Sequence, residues 1–516
     1  MRFIQKISHI VEKGDTMLKH MKYKRLIDAH GFTSEIISQV TADHREECDK
    51  MKRNYNRYVV DKEDGPEIFS RETMSMSEFD AVHGISRIDN KVDHKVNNAF
   101  DVDIIDTKVA YFLGNPITYD IDKEMKVEEV KNGLFAKLVN SLRKNADENQ
   151  REQMAQLLDV YKLRNNIDDQ NAEWGKMAAI CGYGARLLYI DKDGRERVKT
   201  YDDPWNVIFV GDITEPYYSI YSYEGADNVT HYECYDAYHV YYFKADGSGI
   251  VPEQVMYALA EETITAPQQP HLFRYNPLFG LPNNEELMGD AERVYILMYA
   301  YDRLVSDTIN EVEKMRLAYL IVRAAGGMEK EDIQKMNKSG MIELFGEDDK
   351  VEYLTKNVND NMIENALKRL ERNIYLIAKT PNLADLDFGT NVSGVALRMK
   401  LTGLEGKAMM NERKMTASLR YEKKVLFSAW QTRYNFNDED YLRVFFTFKR
   451  NIPVHLLEEA QATAMLKGNV SERTRLAALS VVDDIDYEID EMAKEIQAYS
   501  EQYGPLDGDY DAETNS

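Results

Sequence analysis

Residues 359–381 read NDNMIENALKRLERNIYLIAKTP, and their apolar side chains indicate how the chain is built. The apolar residues recur at alternating steps of four and three residues, the spacing with which one helix packs along another. They are Ile363, Leu367, Leu370, Ile374 and Ile377. Pro381 cannot continue a helix, so the helix is predicted to end just before it. The stretch therefore predicts a long helix that needs a helical neighbour.

A second long helix is predicted upstream, over residues 290–316, with its apolar residues on one side. Residues 317–356 lie between the two helices and contain short strand-like runs around a short helix, which predicts a small α/β insert. Downstream, residues 381–391 form a polar loop, and Ser393 is placed to cap a third helix that reaches about Trp430. The central part of the chain therefore predicts paired long helices that flank a small insert.

The remaining sequence alternates between helical and strand-like periodicity. Helices are predicted over 87–113, between 127 and 180 and over 453–500, single strands at 117–121 and 441–448, and an antiparallel meander from 185 to about 275. The expected fold class is α+β and predominantly α-helical. We expect an elongated subunit with long helices, one antiparallel β module and a small α/β insert.

The composition indicates a folded chain with several domains. Its 516 residues predict roughly three domains. The 65 basic and 89 acidic side chains give a net charge of −24, which argues against a protein that grips nucleic acid mainly by neutralising phosphates. Three widely spaced cysteines predict no disulfide framework. No apolar run is long enough to cross a membrane and Met1–Lys24 lacks the features of a secretory signal, so we expect a soluble, intracellular protein.

No catalytic or metal site is recognisable in the sequence. The nearest approach to a phosphate-binding loop, at Gly175-Lys176, lacks the upstream glycine and the hydroxyl residue of that motif. His231 and Cys234 would point to opposite faces of a strand, which disfavours a zinc site there with His239. We therefore expect no catalytic residue, no metal and no cofactor. An enzyme of nucleic-acid metabolism, with an unrecognised site in the tyrosine-rich strands, stays open as an alternative.

Several short strings, taken in order, carry a resemblance to a known family. They are YFLGNP at 111–116, NPL at 276–278, GDAERV at 289–294, IYLIAKTP at 374–381, FGTNVSGVALRMK at 388–400, RNIP at 450–453, KG at 467–468 and VS at 470–471. As an ordered set covering about residues 85–500, they resemble the portal proteins of long-tailed bacteriophages of the siphophage type. Another minor virion structural protein is a further alternative.

The resemblance implies a structural function without catalysis. Portal proteins form a ring, usually dodecameric, at one capsid vertex, and double-stranded DNA passes through its channel during packaging and ejection. The implied partners are further copies of the chain, the DNA, the packaging terminase, the major capsid and scaffolding proteins and the head–tail connector protein, with no membrane. The implied location is the virion, and the host cytoplasm during assembly.

The resemblance also implies how the subunit is divided. Residues 1–30 would form an N-terminal arm, 31–289 the wing with the meander at about 185–275, 290–316 the first stem helix, 317–356 the clip, 357–380 the second stem helix, 381–391 the tunnel loop, 392–452 a long helix and strand that return to the wing, 453–500 the crown and 501–516 a disordered tail. Each region is a prediction with these boundaries.

By the same resemblance, the tunnel loop and its flanks are the candidates for contact with DNA. These candidate residues are Lys379, Asn382, Asp385, Asp387, Thr390, Asn391, Arg398 and Lys400. The loop is polar or acidic, and the flanking cations could touch phosphates weakly. Lys368, Arg369 and Arg372 lie off the apolar stripe of the second stem helix, where they face DNA or pair with acidic residues of the adjacent subunit. The acidic chain suits a conduit through which DNA slides.

Overall fold

The protein is represented by a computed structural model with two compact units. It describes residues 22–71, 93–121, 134–247, 249–259, 262–315, 319–323, 350–354, 360–382, 394–434, 436–451, 456–476, 478–479, 481–482 and 485–503. The larger unit takes in residues up to 388 together with 399–450, and the smaller takes in 389–398 with 451–516. Helices and antiparallel sheets are mixed, which agrees with the predicted α+β class.

Seven long helices build most of the described helical structure. They are α1 (Ser34–Tyr58), α2 (Phe100–Leu113), α3 (Leu134–Asn165), α4 (Ile167–Cys181), α5 (Tyr295–Met315), α6 (Asp360–Ala378) and α7 (Gly394–Tyr434). The Thr33 hydroxyl caps α1 by accepting the Ile36 N–H at 3.3 Å. Asn166, with a φ of 48°, separates α3 from α4 inside the helical region predicted between 127 and 180.

The strands are short and pair only in antiparallel fashion in the described ranges. They are β1 (Thr118–Ile121), β2 (Tyr183–Ile190), β3 (Glu196–Thr200), β4 (Val207–Gly211), β5 (Pro216–Glu224), β6 (Thr230–Tyr235), β7 (His239–Asp246), β8 (Gly249–Pro252), β9 (Val255–Leu259), β10 (Glu262–Ala266), β11 (Gln268–Pro270), β12 (Leu278–Pro282), β13 (Tyr319–Arg323), β14 (Lys350–Leu354) and β15 (Val444–Thr447).

The predicted meander is antiparallel, but its strands belong to three sheets rather than one. Strands β4–β8 and β11 form a six-stranded sheet, β9 and β10 form a separate hairpin, and β2 and β3 pair with β12 from outside the predicted region. Gly182, with a φ of 101°, makes the turn from α4 into β2, where a β-carbon would lie 2.2 Å from the Leu287 carbonyl. Such long-range partners as β12 cannot be identified from local periodicity.

The middle of the long helix α7 is anchored by a fully buried ionic cluster. Glu422 accepts from Arg186 at 2.7 Å and from Lys423 at 2.5 Å, and all three side chains have no exposed surface. The Arg186 guanidinium stacks 3.9 Å from the Trp174 ring centroid and also donates to Asn171 at 2.9 Å. Burial would raise the pKa of Glu422, but Lys423 and Arg186 outweigh it and lower this pKa to about 2. The cluster ties α7 to β2 and α4.

The helix predicted over 87–113 begins at Phe100, so that prediction is wrong for residues 93–99. Ala99 is left-handed, with a φ of 50°, and the segment before it runs along α5. We call residues 93–99 the strap. The backbone N–H groups of His94, Val96 and Asn98 donate to Asn310 at 2.7 Å, to Ser306 at 2.9 Å and to Asp302 at 3.0 Å. The three acceptors lie four residues apart on one side of α5. They accept the backbone hydrogen bonds that the strap would otherwise make within a helix.

The predicted long helices are present with slightly different bounds. The helix expected at 290–316 is α5, preceded by a 3₁₀ turn at Glu292–Val294. The helix expected to reach Trp430 is α7, which runs on to Tyr434. The strand expected at 441–448 is shorter, because Asp440–Arg443 form a 3₁₀ turn before β15, which pairs with β1. In the insert, β13 pairs with β14, while residues 324–349 lie outside the described residues.

The smaller unit contains three further helices in its described residues. They are α8 (Leu456–Leu466), α9 (Glu472–Leu476) and α10 (Ile485–Tyr503). Gly468, with a φ of 84°, follows the end of α8, and Ser471 caps α9 by accepting the Thr474 N–H at 3.3 Å. Helix α8 therefore ends just before Lys467-Gly468, and α9 begins directly after Ser471. The disordered tail predicted at 501–516 is wrong for residues 501–503, which belong to α10, and residues 504–516 lie outside the described residues.

Candidate functional site

The C-terminal end of α6 is closed by a left-handed turn at Lys379. This residue has a φ of 55°, and the next N–H, of Thr380, donates back to the Tyr375 carbonyl at 3.2 Å. This pattern is the Schellman motif, in which glycine usually occupies the left-handed position. The Lys379 side chain is exposed, whereas Thr380 is buried. The chain therefore leaves α6 in a defined direction toward the predicted tunnel loop.

Side chains from α6 and α7 hold this turn in place. Lys407 Nζ donates to the Ala378 carbonyl at 3.0 Å, and Asn382 Nδ2 donates to Glu371 Oε1 at 2.8 Å. Gly403 lies against the turn, since a β-carbon there would be 3.5 Å from Lys379 Cβ. Helix α7 therefore packs directly against the end of α6.

A cluster of three charged residues, two of them buried, lies next to the turn. Asp290 forms an ion pair with Lys108 at 2.6 Å and another with Lys407 at 2.9 Å. Burial would raise the pKa of Asp290, but the two ammonium groups lower this pKa to about 2. Burial lowers the pKa of Lys108 against the opposing effect of Asp290. The cluster joins three parts of the chain, which are α2, α7 and the segment that precedes α5. Lys407 also connects it to α6, through its hydrogen bond to Ala378.

Of the predicted DNA-contacting residues, the structure describes the side chains of three. Lys379 and Asn382 both lie at the end of α6, Lys379 exposed and Asn382 half-buried. Lys400 is exposed on α7, one helical turn before Gly403. Asp385, Asp387, Thr390 and Asn391 lie outside the described residues, and Arg398 is described only as part of the backbone of α7. Contact of any of them with DNA stays a prediction.

The exposed face of α6 carries the three cations that the sequence places off the apolar stripe. Lys368, Arg369 and Arg372 are all exposed. Lys368 pairs with Glu364 of the same helix at 3.3 Å, an exposed pair that contributes little to stability. Arg369 lines a shallow groove on α6 together with Met362 and Asn373. The partner of Lys368 in the subunit thus lies one turn away on its own helix.

Helices α5, α6 and α7 expose several large apolar side chains in addition to their buried faces. These side chains are Ile296, Val312, Met362, Leu376, Met399 and Met410. Ile296 is 84% exposed and Leu376 is 68% exposed, so both contribute most of their surface to the outside of the subunit. A contiguous exposed apolar patch is typical of a surface that another protein covers, whereas single exposed apolar side chains are ordinary.

Sequence reasoning missed the charged cluster of Lys108, Asp290 and Lys407. One signal was available, because Lys108 interrupts an apolar run that includes Ile104, Ile105 and Phe112 on α2. A lysine in such a run either reaches past the core or meets a buried carboxylate. The sequence does not say which carboxylate, since Asp290 is far from Lys108 along the chain.

His231, considered for a zinc site, contacts two carboxylates, and two of the cysteines are buried. His231 lies between Glu253, 2.7 Å from its Nδ1, and Asp227, 3.3 Å from its Nε2, and Glu253 first and Asp227 second raise its pKa against burial. Cys181 and Cys234 are buried, and burial raises the pKa of both thiols. Among the described residues, no three His, Cys, Asp or Glu side chains cluster as a metal site, and no helix is long and apolar enough to cross a membrane.

Comparison with known proteins agrees with the resemblance read from the short strings. The family model for phage portal proteins of the SPP1 Gp6-like type matches residues 37–502. The portal protein of Bacillus phage SPP1 is 23% identical over 440 residues, which are 81% of this chain and 79% of that protein. The portal protein of Clostridium phage phiCD119 is 23% identical over 409 residues, 76% of this chain and 83% of that protein. The chain therefore belongs to the SPP1 Gp6-like family of phage portal proteins.

Proposed function

We propose that this portal protein forms a closed ring, dodecameric as is usual for portals, at one capsid vertex. Double-stranded DNA passes through the ring during packaging and ejection. The main support for a ring comes from the apolar side chains that α5, α6 and α7 leave exposed in the isolated subunit. A neighbouring subunit that covers them removes apolar surface from water, which favours association.

The two stem helices of the proposal are α5 and α6, which pack against each other in the larger unit. Phe100 of α2 contacts both, with its ring 5.0 Å from Tyr301 of α5 and 5.9 Å from Tyr375 of α6. The Tyr375 hydroxyl donates to Asp103 at 2.8 Å, which fixes α6 to α2 as well. A pair held in this way is a rigid unit that a ring can repeat around its axis.

The channel of the proposal is lined by residues 381–391 and their flanks. The flanking cations Lys379 and Lys400 are exposed and approach the phosphate backbone, while the acidic residues of the loop keep that contact weak. A net charge of −24 on each chain also opposes adhesion of DNA and favours sliding. The clip, 317–356, docks the terminase and the head–tail connector, and the wing, 31–289, meets the capsid and scaffolding proteins.

Native mass spectrometry and negative-stain microscopy of the purified chain test the ring. We expect closed particles with a central hole and a mass that is a whole multiple of 59.7 kDa, twelvefold for a dodecamer. A chain that stays monomeric or dimeric at micromolar concentration, with no ring in virions, contradicts the proposal.

A deletion separates the portal from the two alternatives, an enzyme of nucleic-acid metabolism and a peripheral virion protein. Removing residues 383–390 leaves the described end of α6 and the described part of α7 in place. We expect rings to assemble and DNA packaging to fall. Normal packaging by the deleted protein favours a peripheral component. Nuclease or ATPase activity of the intact chain, lost on mutation of Glu233 in β6 or of Glu253 just after β8, favours an enzyme.

A further inference from the structure

We propose that Lys407 is a positioning residue that sets the direction in which the chain leaves α6. Its ammonium group, held by Asp290, fixes the Ala378 carbonyl at the base of residues 381–391. The role of those residues in the channel rests on the proposed function above. The positioning of the turn does not rest on the proposed function, because the structure describes every group that forms the turn and its contacts with α7.

The Ala378 carbonyl is one of the last carbonyls of α6 and has no partner within the helix. Lys407 donates to it from α7 at 3.0 Å. A cation at a helix C-terminus also interacts favourably with the helix dipole. The contact therefore ties the last turn of α6 to a neighbouring helix through a charged donor.

Lys407 is itself held from the other side. Asp290 forms ion pairs with Lys407 at 2.9 Å and with Lys108 at 2.6 Å, and the Asp290 N–H donates to the Ala179 carbonyl at 2.8 Å. Both Asp290 and Lys108 are almost completely buried. The ammonium of Lys407 therefore links α6 to a point fixed on α2 and α4.

A second contact on α7 shapes the same turn. Gly403 lies one helical turn before Lys407 and faces Lys379, the left-handed residue. Thr380 follows, buried and bonded back to Tyr375 at 3.2 Å. Because Gly403 and Lys407 lie on the same side of α7, one face of this helix determines both the close approach and the hydrogen bond.

Hydrogen exchange on the assembled protein tests the inference with Lys407→Met, Lys407→Arg and a control, Lys414→Met. Lys414 lies on the same helix but pairs with the exposed Glu285 at 2.6 Å. We expect Lys407→Met to speed exchange of the Thr380 amide about tenfold, the factor for losing one hydrogen bond with a charged donor. Exchange in α1 stays unchanged, Lys407→Arg restores most of the protection, and Lys414→Met has no effect at Thr380.

Unchanged exchange at Thr380 in Lys407→Met, or an equal rise in Lys414→Met, overturns the inference. Should Lys407→Met fail to fold, Lys407→Gln carries the same test, since it removes the charge and keeps a polar side chain. DNA packaging is measured on the same variants. Faster exchange with normal packaging supports the positioning role and contradicts the channel role of residues 381–391, so the two proposals fail separately.

Discussion

Lys379 holds a backbone conformation that suits glycine better than lysine. Its φ of 55° brings the β-carbon close to the backbone, a strain that glycine avoids. Lys379 was a candidate DNA contact because it is a cation beside the tunnel loop that the resemblance implies. Its backbone conformation was not predicted. The exposed ammonium and the strained backbone are separable properties, because different substitutions remove them.

Lys379→Gly and Lys379→Ala separate these two properties. Both remove the cation, but only glycine relieves the left-handed strain, so we expect Lys379→Gly to be more stable to unfolding than Lys379→Ala by about 1 kcal/mol. Thermal unfolding monitored by circular dichroism measures the difference. If DNA packaging depends on the charge, both variants package equally poorly. Equal stability of the two contradicts the strain assigned to Lys379.

Glu422 shows why a sequence does not reveal a buried ion pair. It lies beside Lys423 on a helix with many charges, and its second partner, Arg186, comes from a distant strand. Local spacing predicts an exposed pair, whereas the fold excludes water from all three side chains. Removing one member of such a cluster leaves an uncompensated buried charge.

We expect Glu422→Gln to lower the free energy of unfolding by about 3–5 kcal/mol, because Arg186 and Lys423 then stay buried without their carboxylate. Glu412→Gln, on the same helix, is the matched control and should cost about 0–1 kcal/mol, since Glu412 pairs with Arg450 near the surface. Chemical denaturation measures both. Equal losses in the two variants count against the role given to the cluster.

The same carboxylate predicts a pH dependence of stability. The pKa of Glu422 is lowered to about 2 in the folded chain, against about 4.3 for an ordinary glutamate. Because the unfolded state binds the proton more readily, this contribution is present above the unfolded pKa and is lost as the pH falls through the folded pKa. Between pH 5 and pH 2 the wild type should therefore lose more stability than Glu422→Gln. Parallel curves for the two proteins contradict the assignment.

At the scale of elements, periodicity predicted the long helices well and the strap badly. The apolar stripes of α5, α6 and α7 repeat over many turns, so their existence could be read from the sequence and only their ends shifted. Residues 93–99 show a helical spacing of apolar residues as well. There, hydrogen bonds to Asp302, Ser306 and Asn310 provide partners for the backbone that the local pattern does not anticipate.

Ser306→Ala tests the strap. It removes the acceptor of the Val96 N–H, and an amide left without a partner costs about 1–2 kcal/mol. We expect a lower melting temperature and faster proteolysis within residues 93–99. Thr308→Ala is the control on the same helix, because the Thr308 hydroxyl bonds only to the Leu304 carbonyl in the described contacts. Proteolysis that rises equally in both variants contradicts the strap.

For the whole molecule, the order of short strings predicted the family, and the family model matches most of the chain. The candidate site was predicted only in part. Lys379 and Asn382 were candidates because the resemblance implied a tunnel loop at 381–391, whereas Asp290 and Lys407 were missed. Their pairing depends on how α7 approaches the segment before α5, and no local pattern records that approach.

The exposed apolar side chains give a test at this scale. Leu376→Asp places a charge on a residue that is 68% exposed in the subunit, so the chain should fold normally. If a neighbour covers Leu376, burying the new carboxylate is costly and the fraction of closed rings falls sharply. Asn365→Asp adds the same charge to an exposed polar position of α6. Mass photometry compares the two, and normal rings from Leu376→Asp place the interface elsewhere.

In the proposed ring, the strap also limits how a neighbouring copy can dock. Residues 93–99 already occupy the side of α5 that presents Asp302, Ser306 and Asn310, and they use the polar groups of that side. An incoming molecule has to approach α5 along one of its remaining flanks, on which Ile296 and Val312 stay uncovered. Because the strap already covers one side of α5 in the single subunit, it restricts the angles at which a second subunit can dock on this helix.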